Sequence, residues 1–227
     1  MTGPQPDASA AWISAGVCHE VLLRTLPSLR HDMAGILSVA RMDLALLKRW
    51  VAKLATQGLD DAAVAGERVQ RVDQQFSALL QSLQALQAWG AEEAGDAQGA
   101  HELLDACLGW VRPVLMLAKV STERVPQRDG EAPLVPVSPS AFKYLCLAAL
   151  WYWVDSRPAL ARLTVALAAP GELSVAIEEH PGGPPVSAGR APQPVLGRID
   201  EAALSAVAQQ LGWRLELAAS RVTLRWA

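Results

Sequence analysis

Asparagine is absent from this chain, cysteine is scarce, and the charges nearly balance. The three cysteines, Cys18, Cys107 and Cys146, are odd in number, far apart and without CxxC or CxxH spacing. A disulfide framework and a structural zinc site are thereby excluded. Asp and Glu outnumber Lys and Arg by 23 to 20, for a net charge of −3. A nucleic-acid binder would carry a basic excess, so no nucleic-acid partner is expected. The longest nearly apolar run, residues 144–154, is 11 residues long, whereas a membrane-spanning helix needs about 20. Met1 to Ala11 has no basic segment followed by an apolar one, so it does not read as a secretory signal. A cytoplasmic protein without a membrane partner is expected.

What is present is enough apolar material to fold. The chain has 227 residues, 51% hydrophobic and 19% charged. That suits one large domain or two small ones and excludes wholesale disorder.

The two halves differ in pattern. Residues 10–89 hold one proline, Pro27, and a long helical period. Leu22, Leu26, Leu29, Met33, Ile36 and Ala40 are spaced 4, 3, 4, 3 and 4, a seam of period 3.5. Asp43 falls next on that seam, so the spacing predicts a stutter in which Leu44 takes over and Leu47, Val51 and Leu54 follow. Gly58, Asp60 and Asp61 mark a stop and a new start. Val69, Val72, Phe76, Leu79, Leu83 and Leu86 then repeat the pattern. Two long helices joined by a turn form an antiparallel hairpin whose apolar stripe is half covered. Two copies would bury it as a four-helix bundle, so a homodimer is expected. The bland alternative is that the stripe packs on the rest of the same chain.

The sequence divides into a hairpin at 1–92, a small acidic linker at 93–100 and a second domain at 101–227. In the second domain, His101 to about Val120 is amphipathic, with a kink expected at Pro113. Leu134–Val137 is a strand candidate. Ser138 and Pro139 start a helix to about Asp155. Arg162–Ala168 and Glu172–Glu179 form a hairpin around Ala169-Pro170-Gly171. A Pro/Gly-rich loop, a helix over 200–211 ended by Gly212, and a last hairpin over 213–226 complete an α/β sandwich. Trp151-Tyr152-Trp153 reads as core and edge packing. The fold class is α+β.

His31 is the residue placed for chemistry. With Leu26 and Leu29 at core positions a and d, it falls at f, remote from the seam. Its neighbours on that face are Ser28, Ala34, Gly35 and Ser38, all small, with Pro27 four before it. Such a face lets another protein's backbone approach. An imidazole nitrogen is a nucleophile toward phosphorus. Asp32 beside it favours the imidazolium that forms on attack, and Arg30 offsets phosphate charge. His19, His101 and His180 do not cluster with acidic residues at ligand spacing, so no metal site is expected. Neither a P-loop nor a Gly-x-Ser-x-Gly nucleophile is present.

Leu29-Arg30-His31-Asp32-Met33, inside the first helix of a hairpin and ahead of an α/β domain, resembles the phosphoacceptor box of two-component histidine kinases. The Arg-His-Asp triplet is especially similar to the sporulation-phosphorelay phosphotransferase and its relatives, in which a dimeric hairpin precedes a degenerate ATPase-like domain. The resemblance implies a dimeric four-helix bundle followed by a histidine-kinase-ATPase-like sandwich. It also implies His31 as phosphoacceptor, Arg30 and Asp32 as its aids, and Ser28, Ala34, Gly35 and Ser38 as the surface that admits a response-regulator receiver domain.

Departures from the kinase pattern point away from ATP. Ala148 and Tyr152 stand where the family's magnesium-binding asparagines are aligned. Glu179-His180-Pro181-Gly182-Gly183 replaces an Asp-x-Gly-x-Gly box, and only Gly197 is left of the second glycine box. Phosphates need glycine-turn donors and a cation site, and both are missing. No cofactor is expected in this chain, with magnesium residing in the partner receiver. Gly35 one turn after His31 offers no side chain to position water, which disfavours phosphatase activity. The reading is a histidine phosphotransferase relaying a phosphoryl group between regulator aspartates. The alternatives are a non-catalytic scaffold that sequesters a receiver or kinase, and a kinase with an unusual ATP site.

Overall fold

The apolar periods of 3.5 and 2 separate as the sequence predicts. A computed structural model of the chain describes residues 8–57, 62–87, 99–126, 138–168, 171–182 and 196–226. Helices α1 (Ala8–Gln57), α2 (Ala62–Gln87) and α3 (Ala100–Leu117) lead into β1 (Ser121–Arg124) and α4 (Pro139–Ser156). Then come β2 (Leu160–Ala168), β3 (Glu172–Glu179), α5 (Glu201–Gln210), β4 (Arg214–Ala218) and β5 (Arg221–Arg225). This is an α+β chain. Its residues fall into two compact units, one of Met1–Leu26 with Glu92–Ala227 and one of Pro27–Ala91.

In the Pro27–Ala91 unit the seam of α1 does not stutter. Asp43 is 3% exposed while Leu44 is 39% exposed. Leu47 and Trp50 are half-buried after it and Val51 is exposed, so the 4, 3 spacing continues unbroken from Leu22 through Asp43 to Trp50. Arg71 of α2, its guanidinium 3.9 Å from the Asp43 carboxylate, gives the charge a partner that the sequence period could not reveal. On α2, Val72 and Leu79 are half-buried, whereas Val69, Phe76 and Leu83 are exposed. Gly58, Asp60 and Asp61 lie outside the described residues.

The other unit is built on a five-stranded mixed sheet in the order β1-β2-β3-β5-β4. β1 and β2 are parallel and every other pair is antiparallel. β1 is a strand the sequence reading missed, because four polar residues, Ser-Thr-Glu-Arg, show no apolar alternation. The candidate strand at Leu134–Val137 lies outside the described residues, as does most of the 93–100 linker. Leu163, Val165, Leu173, Val175, Val222 and Leu224 are buried on one sheet face. Arg162 and Arg225 stand on the other, where Arg225 pairs with Glu172 and Glu216 across the strands.

α3 runs through Pro113, which is exposed. α4 is nearly all apolar, and Trp151 and Trp153 are fully buried within the core. The Ser138 hydroxyl caps α4 by accepting from the Ala141 amide at 3.2 Å, with Pro139 at the first position. Asp200 caps α5 through the Ala203 amide at 2.8 Å. Gly171, at φ +88°, lies so close to Trp226 that an added Cβ would stand 3.0 Å from the Trp226 carbonyl oxygen and 3.1 Å from its ring. Only glycine fits that close approach.

Candidate functional site

The candidate site is a stretch of α1. A helix turns 100° per residue, so positions 31, 34, 35 and 38 share one side. His31, Ala34, Gly35 and Ser38 are all exposed, and so are Arg30 and Asp32. Ser28 is on the same side one turn earlier and is buried, at 5% exposure.

Spacing carries this further. Ser14, Val17, Val21, Arg24 and Ser28 are spaced 3, 4, 3 and 4, and His31, Gly35 and Ser38 continue as 3, 4 and 3. All five of the first group are buried, and the last three are exposed. This second heptad track is what sequence reasoning missed. It is hard to see because Ser14, Arg24 and Ser28 are polar, and an apolar template passes over them.

The hydroxyls along α1 differ in how they are satisfied. Thr25 Oγ1 donates to the Val21 carbonyl at 2.7 Å and Ser38 Oγ to the Ala34 carbonyl at 2.8 Å. Ser28 Oγ is buried and makes no hydrogen bond among the described residues. For Arg30, His31 and Asp32 no side-chain hydrogen bond or ion pair occurs among the described residues. Adjacent helix positions splay to either side of the ring rather than across it. The imidazole is therefore open to solvent with both nitrogens available. At Gly35 an added Cβ would meet nothing within 4 Å.

Ala148 is fully buried in α4 and Tyr152 is half-buried. Glu179 ends β3, and the His180 amide donates to the Ala159 carbonyl at 2.8 Å. Gly182 sits at φ +96°, and Gly183 lies outside the described residues. Of the other histidines, His19 is exposed, and His101 Nδ1 lies 2.8 Å from Arg124 Nη2. Among the described residues no group of His, Cys, Asp and Glu could hold a metal ion, and no helix is long and apolar enough to cross a membrane.

Burial, not chemistry, sets the cysteines. It pushes the Cys18 thiol up to about 11, against a weaker opposing hydrogen bond with Ser14. Burial likewise raises Cys107 well above its ordinary value, with hydrogen bonding to Cys146 adding to the shift. The same desolvation lowers the Lys143 ammonium on α4.

The most heavily bonded charges lie two turns before His31. Arg24 Nε donates to Glu20 at 2.6 Å, and its Nη1 and Nη2 donate to the Asp155 carboxylate at 3.0 and 2.9 Å. Neither the pairing nor the burial of Glu20 was legible in the sequence.

No family model matches the chain, and no curated protein matches it. Among solved structures it is similar to the histidine kinase AdeS of Acinetobacter baumannii, at 13% identity and a TM-score of 0.41, over 82% of this chain and 95% of that one. It is similar to the cytoplasmic segment of the histidine kinase QseC at 14% identity and a TM-score of 0.42, over 68% and 93%. A third likeness is to a histidine kinase from Burkholderia phymatum STM815, at 14% and 0.36, over 86% and 96%.

Proposed function

We propose that this protein is a histidine phosphotransferase of a two-component phosphorelay, with His31 as the phosphoacceptor. The observation that supports it best is the exposed imidazole on α1, without a side-chain partner among the described residues and followed along its face by Ala34, Gly35 and Ser38. The Arg-His-Asp triplet supplies the resemblance that names the chemistry.

In the proposed reaction a ring nitrogen of His31 attacks the phosphorus of an aspartyl phosphate on a receiver domain. The N–P bond forms as the acyl-phosphate P–O bond breaks, and the aspartate carboxylate leaves. The other ring nitrogen keeps its proton, so the ring becomes cationic, a charge that Asp32 favours. The second receiver's aspartate then takes the phosphoryl group and the neutral imidazole returns. Magnesium belongs to the receiver, and the chain itself uses no ATP. Catalysis is mainly positioning.

The hairpin acts as a homodimer in this reading. Val39, Met42, Val51, Val69, Phe76 and Leu80 are large apolar side chains left exposed in a single copy, and a second hairpin would cover them. The 101–227 region serves as a contact surface for choosing the regulator, within a cytoplasmic protein.

Radiolabelled transfer tests the proposal in two arms, with His31→Ala as control. One arm offers ATP and magnesium, the other a receiver already phosphorylated by its own kinase. Label on the protein in the second arm alone, and only with His31 intact, is the expected result. Label from ATP alone would make it a kinase. Label in neither arm, with receiver binding retained, would make it a scaffold.

A further inference from the structure

The Met1–Leu26 and Glu92–Ala227 unit holds a buried charge cluster that phosphoryl transfer does not require. Arg24 is 1% exposed in its side chain, Glu20 3% and Asp155 4%. Every nitrogen of the guanidinium is used, because Nη2 also donates to the Gly197 carbonyl at 3.1 Å. Each carboxylate has a second task. Glu20 Oε2 accepts from the Leu196 amide at 2.7 Å, and Asp155 Oδ2 accepts from the Ile199 amide at 2.8 Å.

Two features of this cluster run against simple stability. Glu20, Arg24 and Asp155 are charged groups taken out of water together, and apolar residues of similar volume usually serve a core as well or better. Asp155 also lies in the last turn of α4, where the helix dipole disfavours an anion. Something other than packing accounts for their placement. What both carboxylates share is the turn at 196–199, which leads directly into the Asp200-capped start of α5. Backbone N–H groups of a turn that leads into a helix N-terminus can hold an anion, and here the Leu196 and Ile199 amides each hold one carboxylate.

We propose that Glu20, Arg24 and Asp155 form a latch in which the chain's own carboxylates occupy the anion-binding amides of the 196–199 turn. The latch holds that turn and the end of α4 on α1 with no external ligand. Arg24 is the bridge, since it bonds both carboxylates and the turn. Trp151, 5.4 Å beneath the guanidinium, closes the cluster from below. The turn is therefore self-liganded, and it does not take up phosphate or a nucleotide while the latch is intact. This stands apart from phosphoryl transfer, and no arm of its test uses label.

Amide hydrogen exchange on the full chain tests it. In Asp155→Asn the Ile199 amide is expected to exchange about tenfold faster or more, and in Glu20→Ala the Leu196 amide likewise, with the β2 and β3 amides unchanged. Arg24→Met is expected to release both. Acetate or inorganic phosphate at millimolar concentration should restore Leu196 protection in Glu20→Ala, where the carboxylate's space is open, and leave Glu20→Gln unaltered. An even rise in exchange across the whole unit, rescue by chloride as effective as by acetate, or no change at either amide would overturn the latch. Should Glu20→Ala fail to fold, the separate responses of Glu20→Gln at Leu196 and Asp155→Asn at Ile199 decide it alone.

Discussion

Asp43 of α1 and Arg71 of α2 meet across the hairpin with the carboxylate buried and the guanidinium 57% exposed, 3.9 Å apart. The second carboxylate oxygen, Oδ2, is buried without a partner among the described residues. A seam otherwise made of apolar positions thus carries one half-satisfied charge. Exposed Arg71 supplies little Coulomb energy through water, while desolvating Asp43 costs several times that. Asp43→Leu is accordingly expected to stabilise the hairpin by about 1–2 kcal/mol, read as a higher urea midpoint at unchanged slope. A heptad seam can slip by seven residues with little loss, and a lone polar position is what forbids it. The same variant should therefore broaden the distribution of oligomers in light scattering. A lower midpoint would show that the pair stabilises outright.

The Ser138 cap of α4, the end of α5 at Gly212 and the β2–β3 and β4–β5 hairpins were legible because each depends on neighbours within a few residues. Ser138, Pro139 and Gly212 state their roles locally. β1 was illegible because its pairing partner is β2, some 40 residues away (Ser121 opposite Arg162). The unbroken seam at Asp43 was misjudged for a related reason, since Arg71 makes an acid tolerable there and lies on another helix. The exposure of His31 was legible by position, as the f site of the seam. The buried track through Arg24 was not, because the partner that holds Arg24 is Asp155, which sequence distance conceals.

Gly35 offers a test that separates folding from docking. Glycine within a helix costs about 1 kcal/mol relative to alanine, and among the described residues nothing crowds a Cβ there. Gly35→Ala should thus raise stability by roughly 0.5–1 kcal/mol. On the proposed reading it should also slow phosphoryl transfer, by narrowing the approach to His31. Gly16 and Gly66 are likewise uncrowded, so Gly16→Ala and Gly66→Ala should give the same gain in stability without the loss of transfer. Equal transfer rates in all three would remove Gly35 from the docking surface.

Cys18 sets a pH prediction. Its thiol is raised from 9.0 to about 11 by burial, a difference of two units, so at pH 8 its thiolate fraction is about a hundredfold below that of an ordinary thiol. Alkylation by iodoacetamide should be slower by a comparable factor in the folded protein and become normal in urea. The sign for stability follows from the same shift. A folded value above the unfolded one contributes stability that is complete below about 9 and is lost as pH rises through about 11. Cys107, also raised by burial, acts in the same direction. Cys18→Ala should flatten the alkaline fall in stability, and a fall of unchanged steepness would count against the burial argument.

The ends of α3 and α5 are closed by the same backbone pattern with different residues at its left-handed position. At α3 the Lys119 amide donates to Met116 at 3.0 Å and the Val120 amide to Leu115 at 2.9 Å. At α5 the Gly212 amide donates to Gln209 at 3.1 Å and the Trp213 amide to Ala208 at 2.8 Å. Lys119 takes φ 59° and Gly212 φ 74°. For an L-residue that conformation costs about 1–2 kcal/mol, and glycine avoids it. Gly212→Ala should thus lower stability by about 1 kcal/mol, and Lys119→Gly should raise it by a similar amount less the entropy that glycine adds to the unfolded chain. Urea midpoints of the two variants should move in opposite directions. If both fell, the Lys119 side chain would be contributing more to this unit than its backbone conformation costs.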